Sequence, residues 1–329
     1  MGKASDEAEA GTGSGTGPAE SGSAGGAGEI VRGDGVDSAT EAFVAHRNLL
    51  FTVAYEMLGS AADAEDVLQE TWLRWVGVDT STVREVRAYL VRITTRQALD
   101  RLRALGRRKE SYVGPWLPEP LLTAPDAAQD IELAENVSMA MLLVLETLNP
   151  TERAVFVLRE VFDLDYDEIA EAVEKTPATV RQIAHRARGH VAARRPRGSV
   201  SAAETRAVLD AFQEAVENGD LQRLLDLLAP GVVALSDGGG VVHALVRPVV
   251  GAPKVARLLA NGWYRRQGAR TFEPVEVNGS PALLVRFDGA LDAVMAVRID
   301  SGLISGLYSV RNPEKLSRVG QQTAVSRHS

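Results

Sequence analysis

Between Thr151 and Arg197 the chain carries three helix starts in close succession. Asn149-Pro150-Thr151-Glu152 supplies a capping side chain, a proline at the first helical position and a glutamate that can reach back to the cap. Asp165-Tyr166-Asp167-Glu168 repeats the cap and the glutamate, and Thr176-Pro177 repeats the cap and the proline. Three short helices are therefore predicted, and the last is cationic with no acidic residue. At 3.6 residues per turn, Val180, Ile183, Ala184, Ala187 and Val191 fall on an arc of roughly 100°. Arg181, Gln182, His185, Arg186 and Arg188 occupy the remaining face. A helix-turn-helix needs this division, since its second helix lies in a DNA groove while its back rests on a partner, here around Ile169, Ala170 and Val173. Arg181 and Arg186 suit guanine edges and Gln182 adenine, with Arg188, Arg194, Arg195 and Arg197 suited to phosphates. The same pattern also describes a solvated basic face on a structural helix.

At 329 residues the chain can form two or three domains, each burying its own core. It has no cysteine, which excludes disulfides and thiolate zinc sites, and its five histidines (46, 185, 190, 243, 328) are not at ligand spacing. No metal and no cofactor are expected. No apolar run approaches the roughly 20 residues that span a bilayer, so no membrane partner and a cytoplasmic location are expected. Residues 1–37 hold two cations against seven acids amid glycine, serine and alanine, and read as a disordered tail. That tail carries five of the eight net negative charges, so the acidic total does not argue against DNA binding.

From about Thr40 to Lys109 the pattern is helical. A first helix with Phe43, Leu50, Val53, Ala54 and Met57 stops at Gly59, and Ser60 with Asp63 caps the next. Ala64, Val67, Leu68, Thr71 and Trp75 form its buried stripe, which leaves Asp63, Glu65, Asp66, Gln69 and Glu70 outside. Asp79-Thr80-Ser81-Thr82 breaks the pattern, and a third helix carries Arg87, Arg92, Arg96, Arg101, Arg103, Arg107 and Arg108. An acidic helix joined to a basic one suggests two surfaces with different partners, although each face can also be simply solvated.

Residues 110–130, rich in proline, read as an extended linker, yet Trp116, Leu117, Leu121 and Leu122 need a surface to hold them. A helix from about Ile131 to Leu148 then leads into the helix-turn-helix. Beyond Gly198 a helix is predicted over Ala202–Leu228 and another near Pro253–Arg266. Strand runs are expected at Val232–Leu235, Val241–Val246, Thr271–Val277, Ala282–Phe287, Ala293–Ile299 and Leu303–Val310, giving an α+β domain over 198–316 and a flexible tail over 317–329.

Three blocks in this order resemble the extracytoplasmic-function sigma factors: Ala61-Ala62-Asp63-Ala64-Glu65-Asp66-Val67-Leu68-Gln69-Glu70-Thr71-Trp72, then Ala88-Tyr89-Leu90-Val91-Arg92-Ile93, then Asp167-Glu168-Ile169-Ala170 with Thr179-Val180-Arg181. Trp116-Leu117-Pro118-Glu119-Pro120, Asp237-Gly238-Gly239-Gly240 and Arg311-Asn312-Pro313-Glu314-Lys315-Leu316 are similar to motifs of a subgroup with a SnoaL-like extension. Val241 stands where such proteins usually have lysine. The resemblance implies a multidomain fold: two all-α sigma domains, a region 2 helical bundle over 38–109 and a region 4 helix-turn-helix over 131–197, followed by an α+β cone of the SnoaL/NTF2-like type.

The resemblance also implies partners and roles. Asp63, Glu65, Asp66, Gln69, Glu70 and Trp72 would dock on core RNA polymerase, although Trp72 could equally be packed inside. The loop around Val78–Val86 and the helix through Arg87, Arg92 and Arg96 would hold the downstream promoter element as single strand. Thr176, Thr179, Arg181, Gln182, His185, Arg186 and Arg188 would read the upstream element. Trp116, Leu117, Pro118, Asp237, Gly238, Gly239 and Gly240 would form a regulatory contact between extension and linker, which makes the extension a built-in regulator. The glycine run reads as a hairpin turn rather than a phosphate cradle, because a strand and not a helix is expected after it. No spacing among His243, Asp237, Trp263, Tyr264, Asp288 and Asp292 singles out a catalytic pair, so no catalytic residue is assigned. A cavity ligand is left unspecified. A DNA-binding regulator independent of polymerase, or a fusion to a SnoaL-like enzyme, are the competing readings.

Overall fold

The computed structural model describes residues 31–123, 137–194, 201–264, 268–320, 323 and 325–326. Ile131 to Asn136, Arg195, Arg197 and the stretch up to residue 30 lie outside these, as do the side chains of Arg108, Trp263 and Tyr264.

Helices α1 (Val31–Leu58), α2 (Ala61–Trp75) and α3 (Val86–Glu110) pack on one another as a bundle. The helix α1 starts at Val31, inside the segment expected to be tail. Gly33 and Gly35 are poor helix formers, so local propensity does not account for this early start. Gly59 ends α1 at φ +67, and Ser60 Oγ accepts from Asp63 N at 3.2 Å to start α2. The α2 stripe is buried as its spacing predicts, with Trp75 0% exposed and donating from Nε1 to the Ala39 carbonyl at 2.8 Å. Burying one such large apolar side chain is worth about 1.5–3 kcal/mol. Asp79 then caps a single 3-10 turn, Thr80–Thr82, before α3.

The second helical module comprises α4 (Met139–Leu145), α5 (Pro150–Phe156) continued by a π-type turn at Val157–Val161, α6 (Tyr166–Val173) and α7 (Pro177–Ala192). No single helix runs to Leu148 here. Ser138 is extended at ψ 147, and its Oγ accepts from Met141 N, so α4 begins afresh and ends at Leu145. The caps fall where the sequence puts them: Asn149 and Glu152 close a reciprocal box, Glu168 accepts from Asp165 N at 3.1 Å, and Thr176 accepts from Thr179 N at 3.2 Å. α6 ends on Glu174 in the left-handed region, φ 56, where glycine would be the usual signal. The two modules do not bury separate cores as their length suggested. Leu50, Leu58, Leu90 and Leu99 belong to one continuous cluster with Leu145, Val155, Leu158, Ile169, Val180 and Ile183.

The extension runs α8 (Ala202–Glu217), α9 (Leu221–Leu227), β1 (Leu228–Asp237), β2 (Val249–Val250), α10 (Ala252–Tyr264), β3 (Arg270–Val277), β4 (Ser280–Phe287), β5 (Ala290–Asp300), β6 (Leu303–Val310) and α11 (Pro313–Leu316). The one helix expected over Ala202–Leu228 is two, because Gly219 turns the chain at φ +65 and Asp220 caps α9 through Arg223 N. The sheet order is β2-β1-β6-β5-β4-β3, antiparallel except for the β1–β6 pair. Asn278-Gly279, Asp288-Gly289 and Ser301-Gly302 join the last four strands, each pair at positive φ as two-residue type I′ turns demand.

Val241–Val246 is not a strand. Val241 N and Val242 N both donate to the Gly238 carbonyl, at 3.0 and 3.1 Å, and pairing with β1 resumes only at β2. These valines have β propensity but no face to bury: Val241 is 71% exposed. The glycine run is therefore a turn into a loop rather than a hairpin between adjacent strands.

Both faces of the sheet are covered. Leu283, Val285, Met295 and Leu307 pack with Leu209, Phe212 and Val255 of the extension's own helices. Ala282, Leu284, Val294, Tyr308 and Val310 pack with Leu117 of the linker and Met139 of α4. A sheet buried on both sides reads as a continuous apolar run, as β4 does. Nor do all of residues 317–329 hang free as a tail. Val319 is buried, Thr323 N donates to the Leu122 carbonyl at 2.9 Å, Ser326 N donates to Thr52 Oγ1 at 3.0 Å, and Val325 packs on the helical core. Those apolar and backbone groups find partners on α1 and the linker that local composition does not reveal.

Candidate promoter and polymerase interfaces and the clamp between them

The face of α7 opposite its core stripe is open. Arg181, Gln182, His185, Arg186 and Arg188 are exposed, as are Thr176 and Thr179 at its start. Arg181 lies over the ring of Tyr166 at 5.4 Å, and Arg188 pairs loosely with Glu160 at 3.6 Å. The first of these stacks the guanidinium without consuming its hydrogen-bonding edge.

On α2 the acidic side chains are partly spoken for. Arg101 bonds Asp63 at 2.6 Å and Asp66 at 2.9 Å, Arg47 grips Glu65 at 2.8 Å, and Gln97, with its amide turned to suit its neighbours, bridges Glu70 and Arg74. The basic end of α3 and the acidic face of α2 thus neutralise each other in part, whereas the sequence suggested two separate surfaces. Trp72 is half-buried against Phe43, with ring centroids 5.3 Å apart. Leu73 beside it is 72% exposed, an apolar group off the buried stripe that periodicity alone did not single out.

Arg92 and Arg96 are half-exposed but not unpartnered. Arg92 donates to Glu171 at 2.8 Å and lies over Tyr89, while Arg96 donates to the Glu171 carbonyl at 2.9 Å and pairs with Glu174 at 3.5 Å. The helix that carries Glu171 is α6, so the helix-turn-helix contacts Arg92 and Arg96, two of the residues expected to hold melted DNA. Arg87 is half-buried near His46, whose pKa is lowered by burial and then by that guanidinium.

The linker is clamped at the extension by one carboxylate. Asp237, 0% exposed, accepts from Tyr112 Oη at 2.6 Å, Leu117 N at 2.8 Å and Gly239 N at 3.0 Å, and pairs with Lys315 Nζ at 2.7 Å. Gly239 permits this approach: its φ is +65, and a side chain there would meet Asn312 at 2.6 Å. Asn312 in turn donates to Tyr112. Gly240 rests beside Val113, Gly238 and Pro118 are buried, and Val241 faces solvent, so the cation at Asp237 is Lys315. Burial together with Asp237 raises the Tyr112 phenol above its ordinary range, and it stays a donor.

Further along, the linker joins the bundle to the sheet. Glu119 accepts from Ala61 N at 2.8 Å, Ala62 N at 3.3 Å and Ser60 Oγ, which places a carboxylate on the N-terminus of α2. Burial raises its pKa, and those amides oppose the rise. Tyr55 of α1 donates to the Glu119 carbonyl at 2.6 Å and accepts from Asn278 at 2.6 Å, while Asn278 exchanges two bonds with Leu121. Asn278 sits in the β3–β4 turn, so one side chain connects helix, linker and sheet.

Beneath Trp116 lies a buried charge cluster. Arg153 of α5, 1% exposed, donates to the Glu56 carbonyl at 3.0 Å and to Glu146, which also binds Lys109. Lys109 Nζ lies 3.4 Å from the Trp116 ring centroid and Lys315 Nζ 4.0 Å from it. Burial lowers Lys109 to about 8, against the pull of Glu146. Burial alone would raise Glu146, but Arg153 and Lys109 outweigh it and hold the carboxyl below its ordinary value. Gly59 makes room for the tryptophan, since a side chain there would come within 3.0 Å of the ring.

Among the described residues no cluster of acids and histidines is arranged to hold a metal, and no helix is long and apolar enough to cross a membrane. Of the groups set apart as acid–base candidates, Asp237 is consumed by the clamp, Asp292 pairs with Arg311 and Asp288 accepts from Ala269 N. Tyr55, Lys109, Tyr112, Arg153 and Asn278 hold the clamp together without having stood out in the sequence. Only Asn278 had a local signal, as the first residue of an Asn-Gly pair between strand runs.

Two known families match this architecture. Sigma-70 region 2 covers residues 42–108 and Sigma-70, region 4 covers residues 138–191, which defines the helical half as that of a sigma factor. The ECF RNA polymerase sigma factor SigJ of Mycobacterium tuberculosis is 35% identical over 307 residues, 87% of this chain and 97% of the relative. The probable ECF RNA polymerase sigma factor SigI of the same species is 35% identical over 85% of this chain and 95% of its own length. The crystal structure of the SigJ extracytoplasmic function sigma factor aligns with a TM-score of 0.68 at 32% identity, over 85% of this chain and 98% of that one. The chain belongs to the extracytoplasmic-function family of RNA polymerase sigma factors.

Proposed function

We propose that this sigma factor joins core RNA polymerase through α2, directs it to promoters through α3 and α7, and is held in a closed form by its own extension. The observation that carries the reading is the buried Asp237 carboxylate, which fixes the linker to the extension while Glu119 of the same linker fixes it to α2. In this form Glu171 occupies Arg92 and Arg96, so the downstream strand must displace it to use them. Exposed ion pairs of that kind are worth only about 0–1 kcal/mol each, and the linker clamp and common core supply the remaining hold. Release would free Arg87, Arg92 and Arg96 for melted DNA and leave α7 to read the upstream duplex with Arg181, Gln182, His185 and Arg186. Asp63, Glu65, Asp66, Gln69, Glu70 and Trp72, with Leu73, form the polymerase-docking face, an apolar centre in a charged rim. The protein works in the cytoplasm, where polymerase is. The extension regulates and does not catalyse, because its buried aspartate is spent on structure.

Run-off transcription with purified core polymerase, on a promoter mapped by footprinting the holoenzyme, tests this. The full chain and its Asp237→Asn variant are compared at equal concentration. A several-fold change in output supports a regulatory clamp. Equal output removes that role, and failure of both chains to initiate removes the sigma activity itself.

A further inference from the structure

Between α10 and the sheet, on the face away from the linker's leucines, the extension holds a cavity of about 920 Å3. This is at the upper end of the roughly 300–1,000 Å3 range of small-molecule sites. Ala234, Leu259, Val285, Ala293, Met295 and Leu307 make its floor apolar. Charge enters chiefly as guanidinium: Arg257, Arg270 and Arg311 line the space, against the single carboxylate of Asp292 among the described lining residues. That carboxylate is 2.8 Å from Arg311, whose other terminal nitrogen donates to the His243 carbonyl. Arg311 is thereby held at the cavity edge with its guanidinium fixed in place. An apolar space edged by three guanidinium groups and one carboxylate favours an anionic group, which gains charge-assisted bonds there.

We propose that this cavity is a binding site for an organic anion, a molecule with an apolar body of fused-ring or medium-chain size and one carboxylate or sulfonate held by Arg270 and Arg311. A neutral molecule of the same shape gains the apolar contact but not the charge-assisted bonds, and a cation is repelled by three guanidinium groups. The position gives binding a consequence that rests on the regulatory reading above. Val242, Ala244 and Leu245 form one wall of the cavity, and the same loop touches the linker, with the Leu245 carbonyl 3.3 Å from where a side chain on Gly114 would begin. An occupant that shifts this loop changes its hold on the linker.

The intact chain is titrated with 8-anilinonaphthalene-1-sulfonate, followed by fluorescence, and the bound probe is then competed with decanoate, decanol or decyltrimethylammonium. Saturable one-to-one binding is expected, with decanoate displacing the probe about tenfold better than decanol and the ammonium compound displacing none. Arg270→Gln weakens the probe about tenfold at unchanged melting temperature, and Ala293→Phe, which fills the floor, abolishes binding. No saturable binding, equal displacement by all three competitors, or a folded Arg270→Gln chain that binds as the parent does overturns the proposal. Arg270→Gln decides alone, so a core substitution that fails to fold leaves the test intact. No polymerase is present, so a failure of the regulatory reading leaves this result untouched, and the reverse holds as well.

Discussion

Asparagine at position 237 keeps the shape of the side chain and removes its charge, which isolates the electrostatic part of the clamp. Lys315, 11% exposed, would then be buried without its counterion, 2.7 Å from an amide. Breaking one partner of a buried pair costs about 3–5 kcal/mol, because the surviving charge has left water uncompensated. The lower end applies here, since Lys315 keeps the Leu117 carbonyl and the face of Trp116. A loss of about 3 kcal/mol corresponds to a roughly hundredfold shift in the equilibrium that opens the linker. Chemical denaturation reads the energy, and hydrogen exchange at the Leu117 amide, which donates to Asp237, reads the opening directly. Adding Lys315→Met removes the stranded charge, so the double variant should recover at least about half of the loss. A single-variant cost below about 1 kcal/mol, or strict additivity in the double, would refute the reasoning.

Three further outcomes follow from the same geometry. Lys109 should lose its proton with a midpoint of about 8, seen as a change in emission that Trp116→Phe abolishes. Because its folded value lies below the unfolded 10.5, the unfolded chain keeps the proton longer, and this group's contribution to stability rises with pH between those values; emission flat to about pH 10 contradicts it. Arg181→Ala should weaken holoenzyme binding to the upstream element by about 1–3 kcal/mol, with relaxed sequence preference, while Arg194→Ala weakens all sequences alike. Equal effects in a binding-site panel would mean that α7 reads with another face. Glu171→Gln should change stability by less than about 1 kcal/mol, since its pair with Arg92 is largely exposed, yet increase retention on single-stranded promoter DNA at low salt. A loss of several kcal/mol would show that this contact is structural.

What could be read in advance was local. Capping side chains and periodicity are written within a few residues, and Asn149, Ser60 and Thr176 start helices where their neighbours said they would. The Val180–Val191 stripe is buried in full for the same reason. What failed depended on distant partners. Val241–Val246 has strand composition but no strand to pair with, and Ser138 breaks a helix that the pattern would continue. The segment around Val325 reads as tail until α1 supplies a surface for it. At the candidate site, the linker's apolar residues announced that something must cover them; that Asp237 would meet the linker came from the resemblance alone, and nothing announced that Asn278 would. Arg92 and Arg96 were legible as cations, and nothing near them in sequence announced Glu171.

The bond from Asn278 to Tyr55 spans 223 positions. At the usual pace of synthesis, roughly 5–20 residues per second, both helical modules, complete at Ala192, leave the ribosome on the order of 4–17 s before the turn at Asn278. For that interval the helical modules share their core without the bond from the sheet. Slowing the ribosome within the last third of the message would lengthen the time before that bond can form without altering any amino acid.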